Sequence, residues 1–210
     1  MSELLFYTNP QSRGRIVHWM LEETGADYQT IWMDFGPKMK DTAYLAVNPM
    51  GKVPALKHGE VVVTEAPAIC AYLADLSPEK NLAPPVGNPA RGIYYRWLFF
   101  AAGPLEAAAT AKSMGWQVPP GKSGFIGFGC YEDTINAVEK ALSNGPYLCG
   151  EQFTAADVYV GSALGWGMMS GSIEKRRAFE AYVGRLYARP APQRANAINE
   201  EYLKQSRQQA

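Results

Sequence analysis

The chain is poor in the residues that staple or metal-hold a fold: its 210 residues include three cysteines and two histidines. Cys70, Cys130 and Cys149 lie far apart and form no C-x-x-C pair, so neither a disulfide framework nor a dithiol redox motif is indicated. They read as reduced and buried. His18 falls inside a predicted helix and His58 in a predicted hairpin turn, and no cluster of carboxylates or cysteines has ligand spacing, so no metal is expected. An excess of either charge is missing too. Twenty Lys plus Arg balance twenty Asp plus Glu, which leaves no broad field to collect nucleic acid or anionic lipid. Neither nucleic-acid nor membrane partners are expected. Met1-Ser2-Glu3 leads straight into a short apolar run, with no basic region and no span of about 20 apolar residues, the pattern expected of a cytoplasmic protein.

What is present is core-forming material: 47% hydrophobic and 12% aromatic residues exclude a disordered chain and can build one generous core or two smaller ones. The first half alternates strand and helix signals. Leu4 to Thr8 reads as a buried strand broken by Asn9-Pro10. Ser12 then opens a helix with Ile16, Val17, Met20 and Leu21 on one face, ended by Gly25. Tyr28 to Met33 reads as a second strand, Lys40 to Val47 as a short helix, and Val53 to Lys57 as a third strand. After a turn at His58-Gly59, Val61 to Val63 reads as a fourth strand and Ala66 to Leu76 as a helix. This βαβαββα order, with a proline entering the third strand, predicts a thioredoxin-like α/β domain over residues 1–77. Residues 78–89 hold four prolines and read as a linker. Helical patterns alone follow, predicting an all-α domain over 90–210: Arg91 to Met114 interrupted by Pro104, Phe125 to Leu142, Thr154 to Met169, and Glu174 to Tyr187. Residues from Asn199 onward are polar and are expected to be loosely held.

The most informative segment is Asn48-Pro49-Met50-Gly51-Lys52-Val53-Pro54, followed by Glu65-Ala66-Pro67. Pro54 stands where a strand should begin, removes a ladder donor and can take the cis form, leaving the Val53 backbone to pair with something else. Glu65 directly precedes a helix with Pro67 in its first turn, and the unpaired N–H groups there attract a carboxylate. A peptide-like anion fits such a place. A second signal is Phe153-Thr154-Ala155-Ala156-Asp157, a capping box in which Thr154 and Asp157 satisfy each other's backbone and Phe153 staples onto Val158.

Together these segments resemble the cytosolic glutathione S-transferases, bacterial and beta- or theta-like. Their loop reads asparagine, proline, x, glycine, x, valine, proline, and their helical domain carries the same tyrosine, leucine, x, glycine and phenylalanine, threonine, x, alanine, aspartate cap, here from Tyr147 to Asp157. Ala66 departs from the serine usual in the family. The resemblance implies a two-domain enzyme that binds glutathione as co-substrate, without a metal, and forms a homodimer. It also implies detoxification of a small hydrophobic electrophile. It assigns Val53 with Pro54 to the tripeptide backbone, Lys52 to a glycyl carboxylate, Glu65 to the γ-glutamyl ammonium, and the Ala66 N–H to the γ-glutamyl carboxylate.

Such an enzyme must make a thiolate. A thiol of pKa ~8.5 is only a few per cent ionised near neutrality, and lowering that value by about two units takes roughly 2.7 kcal/mol of anion stabilisation. One or two donors at a helix N-terminus can supply it. Aligned on Leu5-Phe6-Tyr7, Ser12 falls on the position of the reactive cysteine of the beta class, with Arg13 beside it. The substitution favours a hydrogen-bonding catalyst over one that forms a mixed disulfide. Tyr7, Thr8 and the Asn9 amide are the other donors of that turn, and Ser12 can equally be a helix cap. For the second substrate, the aromatic and thioether residues of the helical half suit an apolar pocket, with Met114 and Trp116 expected to line it. Glutathione-dependent isomerisation or disulfide reduction, or noncatalytic binding, are the alternatives on this scaffold.

Overall fold

The computed structural model describes residues 3–208, so Met1 and Ser2 lie outside it. Within these residues the chain divides into two compact units, one running to Lys80 and resuming at Ala188, the other spanning Asn81–Tyr187.

The first unit is built on a four-stranded mixed sheet in the order β2-β1-β3-β4. Its strands are β1 (Leu4–Thr8), β2 (Tyr28–Trp32), β3 (Ala55–His58) and β4 (Val61–Thr64). β1 pairs in parallel with β2 and antiparallel with β3, and β3 pairs antiparallel with β4. Helices α1 (Gly14–Thr24), α2 (Thr42–Val47) and α3 (Ala66–Leu76) complete the thioredoxin-like order. The apolar face of α1 behaves as its spacing dictates: Val17, Met20 and Leu21 are fully buried, with Phe6, Leu56, Ile69 and Leu73. Gly25, left-handed at φ 66, ends α1.

Helices alone make up the second unit: α4 (Ala90–Phe100), α5 (Glu106–Ser113), α6 (Tyr131–Leu142), α7 (Ala155–Ser170) and α8 (Arg177–Tyr187). Pro104 does not break the chain between α4 and α5. It lacks an N–H and its ring crowds the preceding turn, and the backbone widens into a π-helical turn over Ala101–Leu105 that absorbs both problems. The expected capping box opens α7. Asp157, fully buried, takes the Thr154 N–H at 2.9 Å, the Leu148 N–H at 2.9 Å and the Tyr182 hydroxyl at 2.7 Å. Burial pushes its carboxyl up, and those bonds pull it back.

The C-terminal residues depart from expectation. Instead of a loose tail on an all-α domain ending at 210, residues 190–208 form α9 (Pro190–Gln208), which belongs to the first unit and packs on α1. Its buried stripe is Ala191, Pro192, Ala195 and Asn199, spaced at helical intervals but too small to register as hydrophobic. Polar bonds complete the seam. Arg189 holds Glu23 through two bonds of 2.7 Å, Arg194 holds Glu22 at 2.8 Å, and Arg15 holds Glu200 at 2.6 Å.

Candidate active site

Sheet register brings the predicted residues to one place. Tyr7 faces Ala55 across β1 and β3, and Ala55 faces Thr64 across β3 and β4. The residues after Tyr7, before Ala55 and after Thr64 therefore emerge at the same end of the sheet. These are the Thr8–Ser12 turn, Val53-Pro54 and Glu65-Ala66.

The Val53-Pro54 bond is cis. Its approach is fixed by side chains within the motif: Asn48, buried, donates to the Lys52 carbonyl at 2.7 Å and accepts the Met50 N–H at 3.0 Å, and the Tyr44 hydroxyl donates to the same Lys52 carbonyl at 2.7 Å. Gly51 is obligatory there, being left-handed at φ 56 and so close to the Met39 carbonyl that an added Cβ would lie 2.4 Å from it. Lys52 is exposed, Val53 half-buried and Pro54 buried. Lys40, whose Nζ donates to the Met50 carbonyl at 2.8 Å, braces the loop from outside. Sequence reasoning placed Asn48 in the motif without giving it a partner, and it did not single out Tyr44 or Lys40. Only the fold shows that their partners are loop carbonyls.

Glu65 is held at φ 66 and ψ 114 and is exposed, immediately before Ala66, which is buried at the start of α3. For a residue with a side chain, that backbone costs about 1 to 3 kcal/mol, the kind of local strain that clusters at binding sites. No glycine marked the position. Glu65 thus occupies the N-cap position of α3 without a side-chain cap bond.

The turn after β1 is densely bonded. Asn9 donates to the Met33 carbonyl at 2.7 Å and accepts the Gln11 N–H at 2.8 Å. Ser12 donates its hydroxyl to the Asn9 carbonyl at 2.7 Å and accepts the Gly14 N–H at 2.9 Å. Arg13, exposed, occupies the position before α1. Ser12 is thus a turn residue two places ahead of the helix rather than its opening residue. Thr8 is fully buried, its hydroxyl has no hydrogen-bond partner among the described residues, and a Cβ on Gly14 would lie 1.9 Å from that oxygen. That places Thr8 in the interior of the turn. Tyr7 is half-buried, its ring 5.7 Å from that of Tyr44. None of the cysteines is near in sequence to this turn. Cys70 is fully buried in α3, where burial pushes its thiol up, and burial with Asp157 pushes Cys149 up to about 11.

In the second unit Trp116 lines a cavity of about 510 Å³ with Gly103, Ala107 and Phe128, whereas Met114 does not line it and is 63% exposed. Met114 stands just past the end of α5, where its N–H closes onto the Thr110 carbonyl.

Comparison with known proteins is concordant across the chain. Residues 12–76 match the family model described as glutathione S-transferase, N-terminal domain, and residues 99–167 the one described as glutathione S-transferase, C-terminal domain. Glutathione S-transferase GstA of Escherichia coli O157:H7 is 31% identical over 207 residues, covering 95% of this chain and 99% of that protein. A glutathione transferase from Methylococcus capsulatus strain Bath is similar in structure, with a TM-score of 0.78 at 32% identity over 94% of this chain and 98% of the other. A sphingomonad glutathione S-transferase complexed with glutathione matches with a TM-score of 0.73 at 26% identity, covering 93% and 98%.

Proposed function

Since the chain belongs to the glutathione S-transferase family and is a glutathione transferase, we propose how its residues carry out the transfer. The observation that carries the proposal is the convergence, at one sheet end, of the Ser12 turn, the cis Val53-Pro54 step and the strained Glu65. In it the Val53 backbone pairs with the tripeptide, Glu65 takes the γ-glutamyl ammonium and the Ala66 N–H takes the γ-glutamyl carboxylate. Lys52, exposed on the loop, pairs with the glycyl carboxylate, and Asn9 and Arg13 border the sulfur.

Ser12 is the proposed thiol activator. Turning its proton from the Asn9 carbonyl to the sulfur gives up a neutral hydrogen bond of about 1 kcal/mol and gains one to an anion of about 1.5 to 3 kcal/mol. The balance favours the thiolate, the thiol proton being released to solvent. The Gly14 N–H continues to hold the Ser12 oxygen in place. Tyr7, at the end of β1, is the second proposed donor. The thiolate then attacks an electrophilic carbon of a small hydrophobic substrate, forming a thioether and expelling the leaving group, a detoxifying step in the cytoplasm.

We also propose a homodimer, supported by Ile93 and Phe99 standing 47% and 72% exposed on α4. Product analysis tests the chemistry. Incubation with benzyl chloride and glutathione should give the S-benzyl thioether by mass spectrometry at a rate far above the protein-free reaction. A product containing oxidised glutathione and no thioether would instead support the reductase alternative.

A further inference from the structure

His18 has no part in the chemistry above, yet it is fully buried in α1 where α9 packs. Asn199 of α9, equally buried, decides which form of the ring fits there. Its side-chain amide donates one hydrogen to the Ala195 carbonyl at 2.7 Å and directs the other at His18 Nδ1, 3.1 Å away. Nδ1 must therefore accept, and the ring proton sits on Nε2. Among the described residues, neither His18 Nε2 nor Asn199 Oδ1 has a hydrogen-bond partner. The seam suits a neutral ring and rejects a charged one. A second proton, on Nδ1, would set N–H against N–H. Turning the amide over would bring Oδ1 to that proton but leave it facing the Ala195 carbonyl, oxygen against oxygen.

The groups around the ring are already committed. β1 brings the Phe6 ring and β2 the rings of Tyr28 and Trp32, with centroids 5.2 to 5.7 Å from that of the imidazole. On α1, Arg15 carries a like charge, and Glu22 takes the Tyr28 hydroxyl at 2.9 Å and Arg194 of α9 at 2.8 Å. Glu200 of α9, exposed, is held by Arg15 at 2.6 Å. Burial keeps the His18 pKa below 6.5 against the pull of Asn199 and Glu22. α9 is also fastened unequally on the two sides of Asn199. Ahead of it, Arg189 grips both oxygens of Glu23, whose side chain is 8% exposed, and Arg194 grips Glu22. Beyond it come the Arg15–Glu200 pair, of a solvent-exposed kind that contributes little, and Tyr202 stacked on Trp32 at 4.1 Å. We propose that His18 and Asn199 form an acid-released latch: a proton on His18 expels Asn199, and residues 199–208 leave α1 while the Arg189 and Arg194 end stays docked. Water then solvates the imidazolium, so the proton stabilises the open form and not the closed one. A detached helix of about ten residues is marginal in water, so the segment unwinds as it leaves.

Amide hydrogen exchange of the full-length protein, corrected for the intrinsic pH dependence of exchange, tests the latch. Protection of residues 199–204, ahead of the fraying last turn, should fall about five- to ten-fold between pH 7.5 and pH 5.5. Ten-fold is roughly the limit for one proton taken up by a group of pKa ~6.5 in the open form. Residues 190–195 should keep their protection. His18→Gln cannot be protonated but still presents an acceptor to Asn199, and it should hold 199–204 closed at both pH values. NMR of the ring nitrogens in the wild-type protein, which has only two histidines, adds a check that needs no stable variant. His18 should carry its proton on Nε2 at pH 7.5. Unchanged protection, protection lost evenly along α9, a His18→Gln variant that opens in acid as the wild type does, or a neutral His18 with its proton on Nδ1 each overturns the proposal.

Discussion

Ser12 has a single proton, and in the resting protein it is directed at the Asn9 carbonyl. Catalysis therefore needs a rotation, not a new group. Ser12→Ala removes the donor and should lower kcat/KM about 10- to 100-fold, the equivalent of roughly 1.4 to 2.7 kcal/mol, while glutathione affinity changes little. Tyr7→Phe should cost less than about three-fold if Ser12 is the principal donor; steady-state kinetics on both variants decides between them. Glu65 gives a different kind of test, because its backbone works against it. Glu65→Gly should raise stability by about 1 kcal/mol in thermal or denaturant melts, relieving φ 66, and at the same time weaken glutathione binding by about ten-fold or more. A gain in stability with unchanged affinity would mean that the strain serves something other than the tripeptide. At this scale much was legible: the Asn48–Pro54 loop announces itself through glycine and proline. The strain at Glu65 was hidden because a residue with a side chain occupies a conformation that sequence patterns reserve for glycine.

At the scale of elements, α9 is the least legible part of the fold. Its buried stripe consists of two alanines, a proline and an asparagine, and Arg194 within it and Arg189 just before it reach back to Glu22 and Glu23 of α1, a pairing that no local pattern contains. The seam it makes has a pH signature. His18 is fully buried between the aromatic rings of Phe6, Tyr28 and Trp32, with Asn199 of α9 3.1 Å from its Nδ1. Burial lowers its pKa below 6.5, with the Asn199 bond and Glu22 opposing and Arg15 assisting. A base whose folded pKa is depressed contributes stability above its unfolded value, and that contribution drains away as pH falls from 6.5 through the folded value. Melting temperature should therefore drop from pH 7 toward pH 5, with a shallower slope in His18→Gln. Parallel slopes would show that other groups carry the acid sensitivity. The α7 cap behaves oppositely in legibility: Thr154 and Asp157 read directly as a capping box, and the structure adds only the Leu148 and Tyr182 donors. Asp157→Ala orphans several buried donors together and should cost about 3 to 5 kcal/mol in denaturant unfolding.

For the whole molecule, strand-then-helix order followed by helices alone was readable from periodicity, whereas the return of the chain from Ala188 to the first unit was not. Oligomeric state is tested at this scale. Light scattering after gel filtration should give twice the chain mass of 23.1 kDa, and Phe99→Glu, which puts a charge on the exposed face of α4, should shift it to the monomer. A wild-type monomer, or a dimer indifferent to the variant, would place the contact elsewhere or remove it. On this reading the sheet end binds glutathione as its thiolate with help from Ser12. Ultraviolet difference spectroscopy at the thiolate band, on the glutathione complex across pH, measures this most directly. The bound thiol should titrate at least about one unit below the ordinary value near 8.5, and Ser12→Ala should return it toward that value. A bound thiol that titrates at its ordinary value in the wild-type protein, or at the same depressed value in Ser12→Ala, would contradict it.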